Sequence, residues 1–310
     1  MRHRIDKAAL TLARGFLLNP QEYWPDRPRH VSKLNRALKY SLGDGERVPE
    51  LVDEILAIAR LRTAHAPAPI YLPNAGSSGS HWLEAMLARA ADVHACGEVY
   101  LPKPVIEQLQ AMTPADAGFF LNAVYVAHSR RVGPALVSGY CVNSAHVTNV
   151  GTIAALTPGA KKVLLIRHPV DVVMSRTLRK PAHRADVAPD MDDRAYLDHN
   201  CELVERFHAA LAPETFDAVV RYEDLLTQPV EALTALTGAL GLAATPESIR
   251  HAAESTSRSA VVAARAQGGN VATNLFAGEA REDAELETVA VRRLASLSRR
   301  LGYDEAPPAG

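Results

Sequence analysis

The chain has 310 residues, 47% of them hydrophobic, with 34 basic and 35 acidic side chains for a formal net charge of −1. That is enough apolar material for one large or two small α/β domains, and the charge balance gives no electrostatic case for a nucleic-acid partner. Three scattered cysteines, Cys96, Cys141 and Cys201, support neither a disulfide framework nor a zinc site, no His/Cys/Asp cluster has the spacing of a metal centre, and the cysteines are expected as reduced core thiols.

The basic start Met1–Lys7 leads into an apolar run that Arg14 interrupts, and no small-residue cleavage site follows. This argues against a secretory signal, and no stretch is long enough to span a membrane. The expectation is a cytoplasmic protein whose N-terminal helix packs on its own core. Peripheral membrane contact through that basic helix is the alternative. Residues 1–66 read as an N-terminal helical extension, with a helix starting at Val48-Pro49-Glu50, and residues 67–310 as the main α/β domain.

Ile70-Tyr71-Leu72 is a short apolar strand between two prolines. Asn74-Ala75-Gly76-Ser77-Ser78-Gly79-Ser80 follows as a loop of small residues, and Leu83, Met86, Leu87 and Ala90 then recur at helical spacing. Small residues let backbone N–H groups approach an anion closely, and a new helix adds free donors and a positive dipole end, so the loop suits phosphate or sulfate. A Walker A loop requires Gly-Lys-Ser/Thr here, and the chain has Gly79-Ser80-His81. ATP or GTP chemistry is therefore disfavoured.

Further strands are predicted at Leu136–Cys141, Lys162–Arg167 and Ala218–Arg221, with helices at Pro114–Arg130, Val147–Leu156 and Pro229–Leu240, the last closed by Gly241. The alternation predicts a central parallel sheet flanked by helices. Arg167 ends its strand at the edge where open parallel sheets bind ligands. Pro169 and Asp171 suit a helix start, and on that helix Ser175 and Arg179 lie one turn apart. Two arginines and a hydroxyl converging there make good phosphate chemistry; the alternative is a structural arginine with a solvated one. Arg184–Asp193 reads as a polar loop that could lid an acceptor site.

Three separated segments, the loop before Trp82, Arg167…Ser175 and Val219-Val220-Arg221-Tyr222-Glu223-Asp224-Leu225-Leu226, together resemble the sulfotransferases that use 3′-phosphoadenosine-5′-phosphosulfate (PAPS). Cys96-Gly97-Glu98, Arg179 and Leu301-Gly302-Tyr303-Asp304 resemble the tyrosylprotein sulfotransferase branch and its bacterial relatives in particular. The resemblance implies a P-loop-type three-layer α/β fold and sulfuryl transfer to a hydroxyl or amine of a small-molecule, lipid or peptide acceptor, with no metal. Ser77, Ser78, Gly79, Ser80, His81 and Trp82 would line the 5′-phosphosulfate. Arg167 and Ser175, assisted by Arg179, would hold the 3′-phosphate. Tyr222 would lie near the adenine, and Gly269 and Asn270 would belong to a late loop over the phosphates. His168 is expected to be structural.

Glu98 follows Cys96-Gly97 and precedes an apolar stretch, which places it at a strand end beside the loop. In the resembling branch a glutamate of this segment is the general base, and a basic residue near Lys103 binds substrate. An apolar setting would raise the pKa of Glu98 and suit it to that role. Relatives carry Lys or Arg at the position of Ser77 and a lysine after the strand that ends at Cys141, where this chain reads Val142-Asn143-Ser144-Ala145-His146. His81, His146 and Lys103 are the candidate replacements, His81 because an imidazolium could donate to the bridging oxygen. Two other functions stand beside the transferase: a degenerate PAPS-binding protein, and a P-loop metabolite kinase, which the loop sequence disfavours.

Overall fold

The structure, a computed structural model, describes residues 68–98, 103–118, 121, 140–144, 150–157, 159–179, 184, 188–212, 215–267 and 282–303. The chain divides into two compact units, Met1–Pro73 with Leu87–Val163, and Asn74–Met86 with Leu164–Gly310. The extension at 1–66 lies outside the described residues.

In the first unit β1 (Ala68–Tyr71), β2 (Val93–Glu98), β3 (Tyr140–Ser144) and the start of β4 (Lys161–Ile166) are neighbours in the order β2-β3-β1-β4. The pairings of β1 with β3, of β1 with β4 and of β2 with β3 are all parallel. Parallel strands covered on both faces need continuous apolar runs, and Ile70, Tyr71 and Leu72 are wholly buried. Thr157 donates its hydroxyl to the Ile153 carbonyl and so accepts from Tyr71, whose hydroxyl lies 3.2 Å away. Helices α2 (Lys103–Gln110) and α3 (Val150–Ala155) connect the strands, while α1 (Ser80–Ala90) begins in the second unit and ends in this one. The alternation of strand and helix with parallel pairing makes the chain α/β, as its sequence predicts.

Two differences from the sequence reading concern strands. β2 lacks a β-branched apolar run and is specified by its pairing, from Val93 opposite Tyr140 to Glu98 opposite Ser144, with an irregularity between Ala95 and Gly97. β3 runs on to Ser144 because Cys141, Val142 and Asn143 pair with Pro69, Ile70 and Tyr71. Asn143 therefore lies within the strand instead of after it. Of the expected helix Pro114–Arg130, residues 114–118 are helical, and most of the rest lies outside the described residues.

The second unit holds the end of β4 with its neighbour β5 (Ala218–Arg221) and the helices α4 (Pro169–Leu178), α5 (Asp193–Leu211), α6 (Tyr222–Thr227), α7 (Pro229–Ala239), α8 (Pro246–Ser255), α9 (Arg258–Ala266) and α10 (Ala284–Arg300). Helix α4 packs on α5 and α10, which also pack on each other. Helix α7 starts at Pro229 and is closed by Gly241, whose φ is 64°. Cys201 is buried on α5, and burial pushes its thiol up to about 11. Among the described residues no helix is long and apolar enough to cross a membrane.

Candidate functional site

The loop after β1 and the loop after β4 both belong to the second unit. β1 and β4 are parallel neighbours, so the segments that leave their carboxyl ends emerge on one edge. Arg167, the first residue after β4, donates from Nη1 to the Ser77 carbonyl at 3.0 Å.

The loop is shaped by its own small residues. Asn74 accepts the Gly76 N–H at 2.9 Å. Gly76, Ser77 and Gly79 take left-handed φ values of 77°, 57° and 93°. Turns that mix left-handed with other residues can line successive backbone N–H groups along a concave surface suited to an anion. Among the described residues the N–H groups of Ser77, Ser78, Gly79 and Ser80 meet no acceptor. The side-chain Oγ atoms of Ser77 and Ser78 are buried with no hydrogen-bond partner there. Helix α1 begins at Ser80, with the Gly79 carbonyl accepting from Trp82 and Leu83. The loop thus offers donors and a helix start, and no cationic side chain.

Two glycines make room for side chains from elsewhere in the unit. A Cβ on Gly79 would lie 2.6 Å from the Tyr222 ring, and one on Gly76 would lie 2.3 Å from Arg176 Nη1. The Tyr222 ring is a platform: the Arg167 guanidinium lies over it at 4.4 Å, and Trp82 meets it edge-on at 5.4 Å. Trp82 is buried, and its indole N–H goes to the Thr256 carbonyl at 2.8 Å, which anchors the start of α1. Arg167 Nε lies 4.0 Å from the Asp171 carboxylate and has no hydrogen-bond partner among the described residues. Burial pushes the Asp171 carboxyl up, against the opposing effect of Arg167 beside it.

His168 caps α4: its Nδ1 accepts the Val170 N–H at 3.3 Å, while its own N–H donates to Glu223 Oε1 at 2.9 Å. Tyr303 donates to the other Glu223 oxygen at 2.8 Å and lies edge-on to the His168 ring. Burial, and then Glu223, push the Tyr303 hydroxyl up. Arg221 donates from Nη2 to the Leu301 carbonyl at 2.7 Å, so Leu301-Gly302-Tyr303 fastens to the end of β5 and to the first turn of α6.

Ser175 lies on α4 and Arg179 is its C-cap, one turn on as the spacing predicts, with the Arg179 N–H donating to the Ser175 carbonyl at 3.2 Å and its side chain exposed. Neither forms a hydrogen bond or ion pair with Arg167 among the described residues. The arginine of this helix that reaches the loop is Arg176, which donates from Nη1 to the Ala75 carbonyl at 2.5 Å and from Nε to Asn200 Oδ1 at 2.9 Å. Sequence reasoning passed over it. The available signal was position: residue 176 shares a helix face with the buried Val172 and Val173, so an arginine there faces inward.

His81, the second residue of α1, has Nδ1 3.7 Å from the buried Glu84 carboxylate. Arg184 forms an ion pair with Asp193, donates to the Met191 carbonyl at 2.6 Å and lies over the Tyr196 ring at 5.5 Å, which closes this loop on itself. In the first unit Glu98 is the last residue of β2 and Lys103 the first of α2. Gly269, Asn270 and His146 lie outside the described residues. Among the described residues no group of three or more His, Cys, Asp or Glu side chains is placed to hold a metal ion.

Residues 107–246 match the family model described as "Sulfotransferase family". No curated protein matches the chain's sequence. Solved structures similar to this one include mouse sulfotransferase SULT7A1 complexed with PAP, 17% identical over 81% of this chain and 93% of that one, at a TM-score of 0.45. The sulfotransferase domain of the Synechococcus PCC 7002 olefin synthase is 18% identical, covers 78% and 97%, and has a TM-score of 0.43. Retinol dehydratase in a complex with retinol and PAP is 14% identical over 82% and 88%, also at 0.43. The segment that carries Arg167, Ser175 and Tyr222 is thus similar in sequence to sulfotransferases, as its motifs predict.

Proposed function

We propose that this protein transfers the sulfuryl group of PAPS to a hydroxyl or amine of an acceptor. The observation that carries the reading is the loop Asn74–Ser80 tied to Arg167. Four unengaged N–H groups and two buried, unpartnered serine hydroxyls suit one anionic group, and an arginine at the neighbouring strand end suits a second. A nucleotide phosphorylated at both 3′ and 5′ positions supplies two such groups, and the missing Walker lysine fits a co-substrate other than ATP.

In this reading the N–H groups of Ser78, Gly79 and Ser80 take the 5′-phosphosulfate, and Arg167, with Ser175 and Arg179, takes the 3′-phosphate. Glu98 accepts the acceptor's proton. The acceptor oxygen or nitrogen forms a bond to sulfur as the sulfur–oxygen bond to the 5′-phosphate breaks, and that electron pair leaves with the phosphate. The loop donors stabilise the charge that develops there. Lys103 contacts the acceptor, and His81 is a further donor at the leaving group.

A second reading, a protein that binds PAPS or its product 3′-phosphoadenosine-5′-phosphate (PAP) without turnover, draws on the absence of a cationic side chain from residues 74–80. Calorimetry with PAP and ADP, followed by turnover of labelled PAPS, separates the readings. PAP should bind and ADP should not; equal binding would remove the 3′-phosphate site and favour a kinase. Glu98→Gln should lower turnover by about 10²- to 10⁴-fold with PAP affinity kept. PAP binding with no turnover by the wild type would favour the binding protein.

A further inference from the structure

We propose that Arg176 supplies the positive charge for the loop Asn74–Ser80, in place of any cation carried by the loop itself. The proposal rests on the reading of this loop as the 5′-phosphosulfate site. A phosphosulfate spreads negative charge over both its groups, and residues 74–80 are Asn, Ala, Gly, Ser, Ser, Gly and Ser, without a basic side chain. Backbone donors alone contribute only partial charges. A full charge close to the loop has to come from another element.

Arg176 is placed and held for this. Its guanidinium occupies the space that a side chain on residue 76 would fill, since a Cβ on Gly76 would lie 2.3 Å from Nη1. Residue 76 is a glycine with φ 77°, so both the backbone and the arginine depend on that choice. The same Nη1 donates to the Ala75 carbonyl.

The other end of the guanidinium is fixed by a chain of hydrogen bonds with one direction. Thr177 donates its hydroxyl to the Val173 carbonyl at 2.8 Å and so accepts from Asn200 Nδ2 at 3.2 Å. That orients the wholly buried Asn200 with Oδ1 toward Arg176 Nε, 2.9 Å away. Its two acceptors, the Ala75 carbonyl and Asn200 Oδ1, are neutral oxygens, and together they fix the orientation of the guanidinium beside the loop. Arg167 holds the Ser77 carbonyl from the β4 side. The two arginines thus grip alternate carbonyls of the loop, and Arg176 is the one seated beside its first left-handed residue.

The test pairs two ligands with variants of the full chain, by calorimetry. PAP carries a 5′-phosphate and adenosine 3′-monophosphate does not. Arg176→Gln should weaken PAP roughly tenfold or more and leave adenosine 3′-monophosphate unchanged. Adding Ser77→Lys to that variant should restore most of the loss, because the charge returns on the loop itself. If Arg176→Gln fails to fold, Gly76→Ala, which drives a Cβ into the guanidinium, should show the same selective loss and the same rescue. Unchanged PAP affinity, equal loss of both ligands, or loss that Ser77→Lys does not restore would overturn the role of Arg176. A wild type that binds PAP no better than adenosine 3′-monophosphate would instead overturn the reading of the loop.

Discussion

The loop Asn74–Ser80 and the segment Arg167–Arg179 meet through two hydrogen bonds, from Arg167 to Ser77 and from Arg176 to Ala75, yet they are built on opposite plans. The loop uses its backbone, with side chains so small that their role is to stay out of the way. The segment uses long charged side chains on a regular helix whose start is fixed by Pro169 and the His168 cap. Backbone recognition is rigid and is lost by adding atoms. Side-chain recognition is lost by removing them. Where the plans meet, each glycine of the loop admits one side chain from outside it, Arg176 at Gly76 and Tyr222 at Gly79.

This contrast can be broken most severely at Gly79. Gly79→Ala forces a left-handed alanine and a Cβ 2.6 Å from the Tyr222 ring. The two costs together are expected to destabilise the protein by about 3 kcal/mol. Chemical denaturation measures it, and a loss below about 1 kcal/mol would mean that the ring moves freely and is no platform.

From the other side, Arg167→Ala should weaken PAP by about 2 kcal/mol, the scale of lost charge-assisted bonds. Unchanged affinity in calorimetry would confine Arg167 to its structural contacts with Ser77 and Tyr222.

Ser78→Ala should move stability and binding in opposite directions. The hydroxyl is buried without a partner among the described residues, so its removal should stabilise the ligand-free protein by up to about 1 kcal/mol while weakening PAP by a similar amount. A melt and a titration on the same sample decide it; a variant that loses stability would show that the hydroxyl serves the fold.

The smallest effect is a slope. The Asp171 carboxyl is raised from 3.8 in the folded protein. A raised pKa contributes stability that is fully present below the unfolded value and is lost as pH rises through the folded one. Asp171→Asn should therefore flatten the stability profile on the alkaline side of the ordinary carboxylate range, relative to wild type. Parallel profiles would remove this carboxyl from the electrostatics around Arg167.

Much of this was legible in the chain. The strand-loop-helix at Ile70–Ala90 and the helix start at Pro169 follow from local rules of small residues, proline and capping. β2 was legible only at its end, where Glu98 was expected to close a strand; His94-Ala95-Cys96-Gly97 carries no strand pattern, and pairing with β3 defines the rest. In the site, residue type and spacing marked Arg167, Ser175 and Arg179 equally. Arg167 does touch the loop, but which arginine of α4 joins it depends on how that helix packs against α5, and Asn200 holds Arg176 there. Tyr222 was expected near a nucleotide base, and the fold sets its ring against Gly79, Trp82 and Arg167.

By itself, then, the sequence determined the alternation of elements, the donor-only character of the loop and the resemblance to sulfotransferases. These depend on neighbours within a few residues, where backbone sterics and capping act. Tertiary structure decided which long side chain fills which glycine's space. That choice joins residues 101 and 143 positions apart, Ala75 with Arg176 and Gly79 with Tyr222, and no local rule reaches so far along the chain.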